Sequence, residues 1–156
     1  MGERVRLAGW RDLLAVHRIH RACFPHPYSL WRFVGYLLST SAWLYVACAE
    51  GVPVGYIIAA LTRYQHPPRH VGEVISVAVL PSHRGGGLAR GLLGAGIASL
   101  QAAGVTEIYL QVAVSNHRAK HLYERFGFTV KQRLSQYYTD GEDALLMALP
   151  EGWDGV

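Results

Sequence analysis

The sequence has few cysteines, no long apolar run and no cluster of basic residues. Its two cysteines, Cys23 and Cys48, lack CxxC spacing, so we expect reduced, partly buried thiols with no catalytic role. No stretch of about 18 uninterrupted apolar residues is present, and the opening MGERVRLAGW lacks the apolar core of a signal peptide. These absences predict a soluble, cytoplasmic protein without a membrane span.

The charge is basic but dispersed. Fifteen Lys and Arg residues stand against 11 Asp and Glu residues, a formal net charge of +4. Because no run of five or more basic residues occurs, a nucleic-acid groove is not indicated. An anionic cofactor or an acidic partner suits this balance. With 156 residues, 51% of them hydrophobic, we expect one domain over 1–156, with residues 150–156 as a loose tail.

Apolar spacing predicts a mixed α/β sheet. Helices are predicted at residues 12–22, 30–38, 88–103 and 116–126. Strands are predicted at residues 4–7, 44–49, 54–61, 72–80, 106–114, 128–134 and 143–149. Ser29 is expected to cap the second helix, and the HPPRH segment at 66–70 is expected to be a loop.

The segment HRGGGLARGLLGAG, residues 83–96, places a glycine-rich turn before a helix. Such a turn gathers free backbone N–H groups at the positive end of the helix dipole, which favours phosphate binding. The P-loop string GxxxxGK followed by Ser or Thr is absent. The dinucleotide fingerprint GxGxxG also fails, because Arg90 takes the place of its last glycine and repeated βαβ units are missing.

Four segments match one family in the right order. The turn carries RxxGxA through Arg84, Gly87 and Ala89. The others are LQVAVSNHRAKHLYERFGF at 110–128, QYYTDGEDALLMAL at 136–149 and FPHPYS at 24–29. The chain resembles the GNAT superfamily of acyl-CoA-dependent N-acetyltransferases, and within it the RimI-like and archaeal or eukaryotic protein N-terminal acetyltransferases. This resemblance implies a mixed, mostly antiparallel sheet of about seven strands with about four helices, with the cofactor in a splay between the fourth and fifth strands.

The resemblance implies acetyl-CoA as cofactor. It also implies that the turn's backbone N–H groups cradle the pyrophosphate, with glycines that allow close approach, and that a backbone N–H of the preceding strand binds the acyl carbonyl oxygen. His83 is either a further attraction for phosphate or an exposed turn residue. The implied cofactor-binding residues are Val77, Ala78, Val79, Arg84, Gly85, Gly86, Gly87, Leu88, Ala89, Asn116 and Tyr123.

The implied catalytic residues are Glu73, Gln111 and Tyr123. Tyr123 occupies the place of the family's LY tyrosine, the general acid for the leaving thiolate; its alternative is a core aromatic on the helix face. Gln111 stands where RimI-type enzymes have a glutamate base, and an amide accepts no proton. Glu73 stands where the histone lysine acetyltransferases place their base, and we expect its position at the head of an apolar row to raise its pKa. His117 and His121 are reserve bases.

The implied substrate is the N-terminus of a peptide or protein. Phe24, Pro25, Tyr28, Tyr137 and Tyr138 match the positions that line the peptide groove in these relatives, although rings in such positions also serve packing. Two alternatives stay open: an acetyltransferase for a small amine, such as a polyamine, amino acid or antibiotic, and a non-catalytic acyl-CoA-binding module. We expect no metal, nucleic-acid or membrane partner, and the sequence leaves the oligomeric state open.

Overall fold

The computed structural model of the protein describes residues 4–65, 68–150 and 152–153. Its helices and strands are, in chain order, β1 (Val5–Leu7), α1 (Leu13–Cys23), α2 (Leu30–Leu38), β2 (Ala42–Ala49), β3 (Val52–Gln65), β4 (Pro68–Val79), α3 (Leu88–Ala102), β5 (Glu107–Ala113), α4 (His117–Phe126), β6 (Thr129–Leu134) and β7 (Ala144–Leu149). Short 3-10 turns precede α1 and follow β4. The predicted helices and strands all form.

Two local predictions were wrong. The expected loop at 66–70 is a strand from Pro68 onward, while residues 66–67 lie outside the described part of the chain. Ser29 occupies the N-cap position of α2, yet its side chain makes no capping hydrogen bond. Instead the Ser29 carbonyl accepts from the N–H of Arg32 at 3.1 Å.

The strands form a seven-stranded sheet in the order β1-β2-β3-β4-β5-β7-β6. Strands β4 and β5 run parallel, with Val71–Glu73 opposite Glu107–Tyr109. The other pairings whose register the structure describes are antiparallel. A parallel pair needs a crossover connection, which α3 provides. The predicted mixed, mostly antiparallel fold is confirmed.

The chain divides into two compact units, and the first contains the residues up to Ala60 and Val74–Ala102. Alternation along β2 and β3 separates two buried faces in this unit. One face packs against α1 and α2. The strands contribute Leu44, Val46, Tyr56 and Ile58 to this core, and the helices contribute Leu13, Val16, Ile19 and Phe33. The other packs against α3, where the Tyr45 hydroxyl lies 2.7 Å from Ser99 Oγ. Each fully buried aliphatic side chain contributes about 1.5–3 kcal/mol, so both helical layers stabilise the sheet.

The second unit contains Leu61–Glu73 and the chain from Ala103 onward. Its central pair is β5 with β7, in antiparallel register from Ile108 opposite Leu149 to Ala113 opposite Ala144. The buried face includes Ile108, Leu110, Val112, Met147 and Leu149. Trp153 stacks on Phe126 of α4 with ring centroids 5.8 Å apart. Across the described residues, no helix is both long enough and apolar enough to cross a bilayer.

Candidate active site

The turn between β4 and α3 is rich in free backbone donors. Gly85 and Gly87 have φ of +87° and +84°, the left-handed region that strains residues with a Cβ. Within the described residues, the N–H groups of Gly85–Gly87 donate to no protein acceptor. A Cβ built on any of these glycines meets no atom within 4 Å. Together with the N–H groups of Leu88 and Ala89 at the start of α3, where a helix leaves its first N–H groups without intrahelical partners, this open cradle fits a pyrophosphate group.

The Arg84 side chain turns back toward the end of β4. Its Nε donates to the carbonyl of Val79 at 3.0 Å, and its Nη2 lies 3.8 Å from Cys23 Sγ. The Cys23 thiol donates to the same carbonyl at 3.6 Å. Arg84 therefore holds the start of the turn in place with its side chain, while the glycines after it present the backbone.

The end of β4 is tightly packed. Ala78 and Val79 are buried and Val77 is half-buried. The N–H of Leu80 donates to the carbonyl of Val54 at 2.8 Å. A Cβ on Gly55 would lie 3.0 Å from both the Ala78 carbonyl oxygen and Val79 Cγ2, so this close approach requires glycine. The strand end gives the glycine turn a rigid base.

The segment between α1 and α2 carries the three predicted substrate contacts of the first unit. Phe24 and Tyr28 are half-buried and Pro25 is exposed. The Tyr28 ring lies beneath the guanidinium of Arg32, 3.7 Å from Cζ to the ring centroid, a cation–π contact. Both aromatic rings pack against the core formed with α1 and α2.

Two histidines of α1 that we did not predict hold Tyr28 by its backbone. His17 Nε2 lies 3.0 Å from the Tyr28 carbonyl oxygen, and the Tyr28 N–H donates to His20 Nε2 at 2.9 Å. On its other side, His20 Nδ1 lies 2.5 Å from the Tyr56 hydroxyl, which lies 2.7 Å from Ser76 Oγ. The Tyr28 segment is thereby tied to α1 and to the sheet.

Burial favours the neutral form of His20. Its side chain is 2% exposed. Burial lowers the pKa of His20 to about 4, and repulsion from His17 and Arg32 adds to this effect. The sequence held a signal: His20 follows Val16 by four residues and so lies on the apolar face of α1, where a titratable residue needs buried partners.

In the second unit, Glu73 and Gln111 lie on one face of the β4–β5 pair. Glu73 is opposite Tyr109 in the register, and Gln111 is the next residue of β5 on that side. Tyr109 and Gln111 are half-buried, whereas Leu110 on the opposite face is 1% exposed. Glu73 is half-buried and accepts a hydrogen bond from Thr62 Oγ1 at 3.4 Å. A carboxylate and an amide are thus diagonal neighbours.

Asn116 directly precedes helix α4, and Tyr123 lies within it. The Asn116 side chain accepts from the N–H of Ala119 at 3.2 Å and so caps the helix. Tyr123 is 6% exposed, and its ring contacts Phe128 edge to face at 5.9 Å between centroids. Burial raises the pKa of Tyr123, and Tyr138 raises it further, so the phenol keeps its proton at neutral pH. His117 and His121 are exposed on this helix.

The β6–β7 loop presents Tyr137 and Tyr138. Their rings meet at right angles, 5.0 Å apart, and Tyr137 is 48% exposed. The loop is closed by backbone bonds from Tyr138 to Glu142 and from Gly141 to Tyr138. The Glu142 carboxylate also accepts from the N–H of Ser115 at 2.9 Å. A second loop, the one that leads into α4, is therefore fixed to the tyrosine loop.

A mixed sheet with a donor-rich glycine turn between β4 and α3 fits a protein of the acyl-CoA-dependent acetyltransferase class. Residues 13–128 match the model of the Acetyltransferase (GNAT) family. The chain belongs to this family. It is an N-acetyltransferase, and acetyl-CoA is its cofactor.

Similar proteins extend the match beyond the family model. An N-alpha-acetyltransferase from Sulfolobus acidocaldarius is 36% identical over 154 residues, covering 94% of this chain and 92% of that protein. The ribosomal-protein-S18-alanine N-acetyltransferase from Escherichia coli has a similar structure, with a TM-score of 0.82, 28% identity and coverage of 99% and 97%. A chain of the NatC complex bound to Gag peptide and CoA gives a TM-score of 0.85, 25% identity and coverage of 96% and 99%.

Proposed function

We propose that this protein transfers the acetyl group of acetyl-CoA to the α-amino group at the N-terminus of a protein or peptide. The observation that carries this proposal is the extent of the similarity to the Sulfolobus N-alpha-acetyltransferase, which spans 94% of the chain. The family model ends at residue 128, before Tyr137 and Tyr138. The similarity to the Sulfolobus protein extends beyond residue 128. It therefore includes the β6–β7 loop with Tyr137 and Tyr138 as well as the glycine turn.

Glu73 is the general base in this proposal. A protonated α-amino group has a pKa of about 7.7–8.0 and must lose a proton before it attacks. The Glu73 carboxylate is half-buried and is oriented by the Thr62 hydroxyl. Gln111, on the same face of the sheet, holds a water or a substrate carbonyl by hydrogen bonds. In this proposal Glu73 supplies the carboxylate that RimI-type relatives carry at the position of Gln111.

Tyr123 is the general acid in this proposal, and backbone N–H groups bind the cofactor. Acetyl-CoA supplies, when bound, a thioester that an amine can attack. The N–H groups from Arg84 to Ala89 bind its pyrophosphate, and a backbone N–H within Val77–Val79 binds the acyl oxygen. Tyr123 is protonated at neutral pH and donates its proton to the departing thiolate. Asn116 contacts the pantetheine arm in addition to capping α4.

Aromatic residues hold the peptide. An apolar surface formed by Phe24, Pro25 and Tyr28 contacts the side chain of the peptide's first residue. The hydroxyls of Tyr137 and Tyr138 bind the backbone of the peptide's first residues. The exposed fraction of Tyr137, 48%, supports such a contact, because a ring used only for packing is buried more completely. We place the reaction in the cytoplasm.

The test of this function is a substrate panel. Thiol release from acetyl-CoA is followed with short peptides that differ in their first residue, with spermidine and with free amino acids. Turnover limited to peptides, abolished by blocking the α-amino group, is the expected result. Turnover of spermidine or amino acids alone would identify a small-amine enzyme. Calorimetric binding of acetyl-CoA without any turnover would identify a binding module.

The base is tested by Glu73→Gln. We expect kcat to fall by roughly 10² to 10⁴-fold, with the Kd for acetyl-CoA unchanged, because the amide cannot accept the proton. Gln111→Glu is expected to leave activity intact or to raise it. The matched control is Glu50→Gln, in the exposed β2–β3 turn. Full activity of Glu73→Gln from pH 6 to 9 would remove Glu73 from this role.

A further inference from the structure

A chain of buried hydrogen bonds runs from the Tyr28 backbone to the sheet in the first unit. It links the Tyr28 N–H, His20, the Tyr56 hydroxyl and Ser76 Oγ at distances of 2.9, 2.5 and 2.7 Å. His20, Tyr56 and Ser76 are each at most 8% exposed. We propose that His20 is a positioning residue for acetyl transfer, which fixes the Tyr28 segment in the conformation that receives the peptide.

The neighbours of His20 determine its tautomer. A backbone N–H can only donate, so Nε2 of His20 must be the acceptor for Tyr28 and the ring proton must lie on Nδ1. Nδ1–H then donates to the Tyr56 hydroxyl, which shares a further hydrogen bond with Ser76 Oγ in which either oxygen can be the donor. The two bonds of His20 therefore run in one direction, from the Tyr28 backbone toward the sheet, and a neutral His20 is the form that satisfies both.

A second histidine completes a clamp on the same residue. His17 and His20 are three residues apart and share a face of α1. His17 donates from Nε2 to the Tyr28 carbonyl at 3.0 Å, while His20 accepts from the Tyr28 N–H. The His20 ring also stacks on the Tyr28 ring with centroids 4.5 Å apart and lies 4.8 Å from that of Phe24. Both polar backbone groups of Tyr28 and both aromatic rings of the segment are thus set by α1.

The inference rests on the proposed function, since the positioning role of His20 is tested by the kinetics of peptide acetylation. His20→Asn keeps a nitrogen donor near the place of Nδ1 but has no atom at the place of Nε2. His20→Gln puts a carbonyl oxygen near the place of Nε2 and loses the donor to Tyr56. The two variants therefore separate the bond to the Tyr28 segment from the bond to the sheet.

We expect His20→Asn to raise the KM for peptide by about tenfold, because the Tyr28 N–H loses its acceptor. The KM for acetyl-CoA should stay within about twofold of the parent value, and His20→Gln should restore most of the peptide affinity. Arg18→Gln, on the exposed side of α1, is the control and should match the parent. An unchanged peptide KM in His20→Asn, or equal damage to both substrates in both variants, would overturn the proposal.

A measurement on the unmodified protein tests the clamp without turnover. Imidazole ¹⁵N shifts are expected to show the His20 proton on Nδ1, and the Tyr28 amide should exchange slowly with solvent. A proton on Nε2, or rapid exchange at Tyr28, would refute the clamp even if the enzyme acetylates peptides. If peptides are not substrates, the proposed function fails while these two signals still report on the clamp.

Discussion

Tyr123 combines a buried ring with a hydroxyl whose pKa is raised by that burial. As a general acid it needs its proton, whereas as a core aromatic it needs only its ring. Tyr123→Phe separates these roles, because the ring and its contact with Phe128 remain. We expect kcat to fall by about 10²-fold with little change in melting temperature.

Steady-state kinetics and thermal unfolding check this expectation for Tyr123. The control is Tyr45→Phe, which removes a hydroxyl bonded to Ser99 and should leave kcat unchanged. Parent-like kcat in Tyr123→Phe would make this tyrosine a packing residue.

His20 makes folding stability depend on pH. The folded-state pKa of about 4 lies below the ordinary value of about 6.5, so between these values the unfolded chain binds a proton that the folded chain excludes. Stability therefore falls as pH drops through this window, by at most about 1.4 kcal/mol per pH unit. Asp12, whose pKa is lowered by its bonds to Arg6 and Gly9, adds a loss only below about pH 4.

Urea unfolding at several pH values from neutral to mildly acidic measures this dependence on His20. The parent should lose stability across the window, and His20→Gln should lose much less over the same range. A slope shared equally by the parent and His20→Gln would show that other groups cause it.

At the level of helices and strands, local signals predicted most of the structure. The helix α4 begins at the Asn116 cap and ends at Gly127, whose φ is +107°, as its sequence predicts. The start of β4 was missed because proline-rich segments are typical of loops, yet a proline is tolerated as the first residue of a strand. Ser29 has a capping residue type, but its side chain bonds no helix N–H.

The candidate site likewise has one part that the sequence predicts and one part that it does not. The cofactor turn was predictable because glycines and a helix start are adjacent in the sequence. The clamp on Tyr28 was not predictable, because it includes a bond from His20 to Tyr56, 36 residues away. Periodicity predicts which face of α1 is buried, but it does not predict which residues that face contacts. The role of Thr62 beside Glu73 likewise depends on strand pairing between residues 11 apart.

The cofactor turn depends on backbone conformation, which a pair of glycine substitutions tests. Gly87→Ala puts a Cβ on a residue with φ of +84°, at a cost of roughly 1–2 kcal/mol, and should displace the N–H groups that we propose bind pyrophosphate. We expect a weaker Kd for acetyl-CoA by about tenfold. Gly94→Ala, in the middle of α3 with open space around its Cβ, should stabilise the fold by about 0.5–1 kcal/mol.

Calorimetry with acetyl-CoA distinguishes these two glycine variants. Equal Kd values for Gly87→Ala and Gly94→Ala would show that the conformation of the turn does not limit cofactor binding.

For the whole molecule, the positive charge is unevenly distributed. Eight of the 15 Lys and Arg residues lie in the first unit with only three Asp and Glu, whereas the second unit has seven basic and eight acidic residues. The excess is therefore in the unit that carries the glycine turn of Gly85–Gly87. We therefore expect this unit as a whole to attract a polyanionic cofactor, in addition to the backbone contacts proposed for the turn.

Affinity for acetyl-CoA should consequently weaken with salt. Charges on a protein surface are screened beyond about 10 Å at 0.1 M salt, so the contribution from scattered arginines is lost at high ionic strength while the hydrogen bonds of the turn remain. We expect the Kd to rise by about tenfold between about 0.05 M and about 0.5 M NaCl, measured by calorimetry. S-acetyl-pantetheine lacks the phosphates and should bind with a Kd that changes less than about twofold over that range. If both compounds respond alike, the salt acts on the protein's conformation, and the net charge has no part in holding the cofactor.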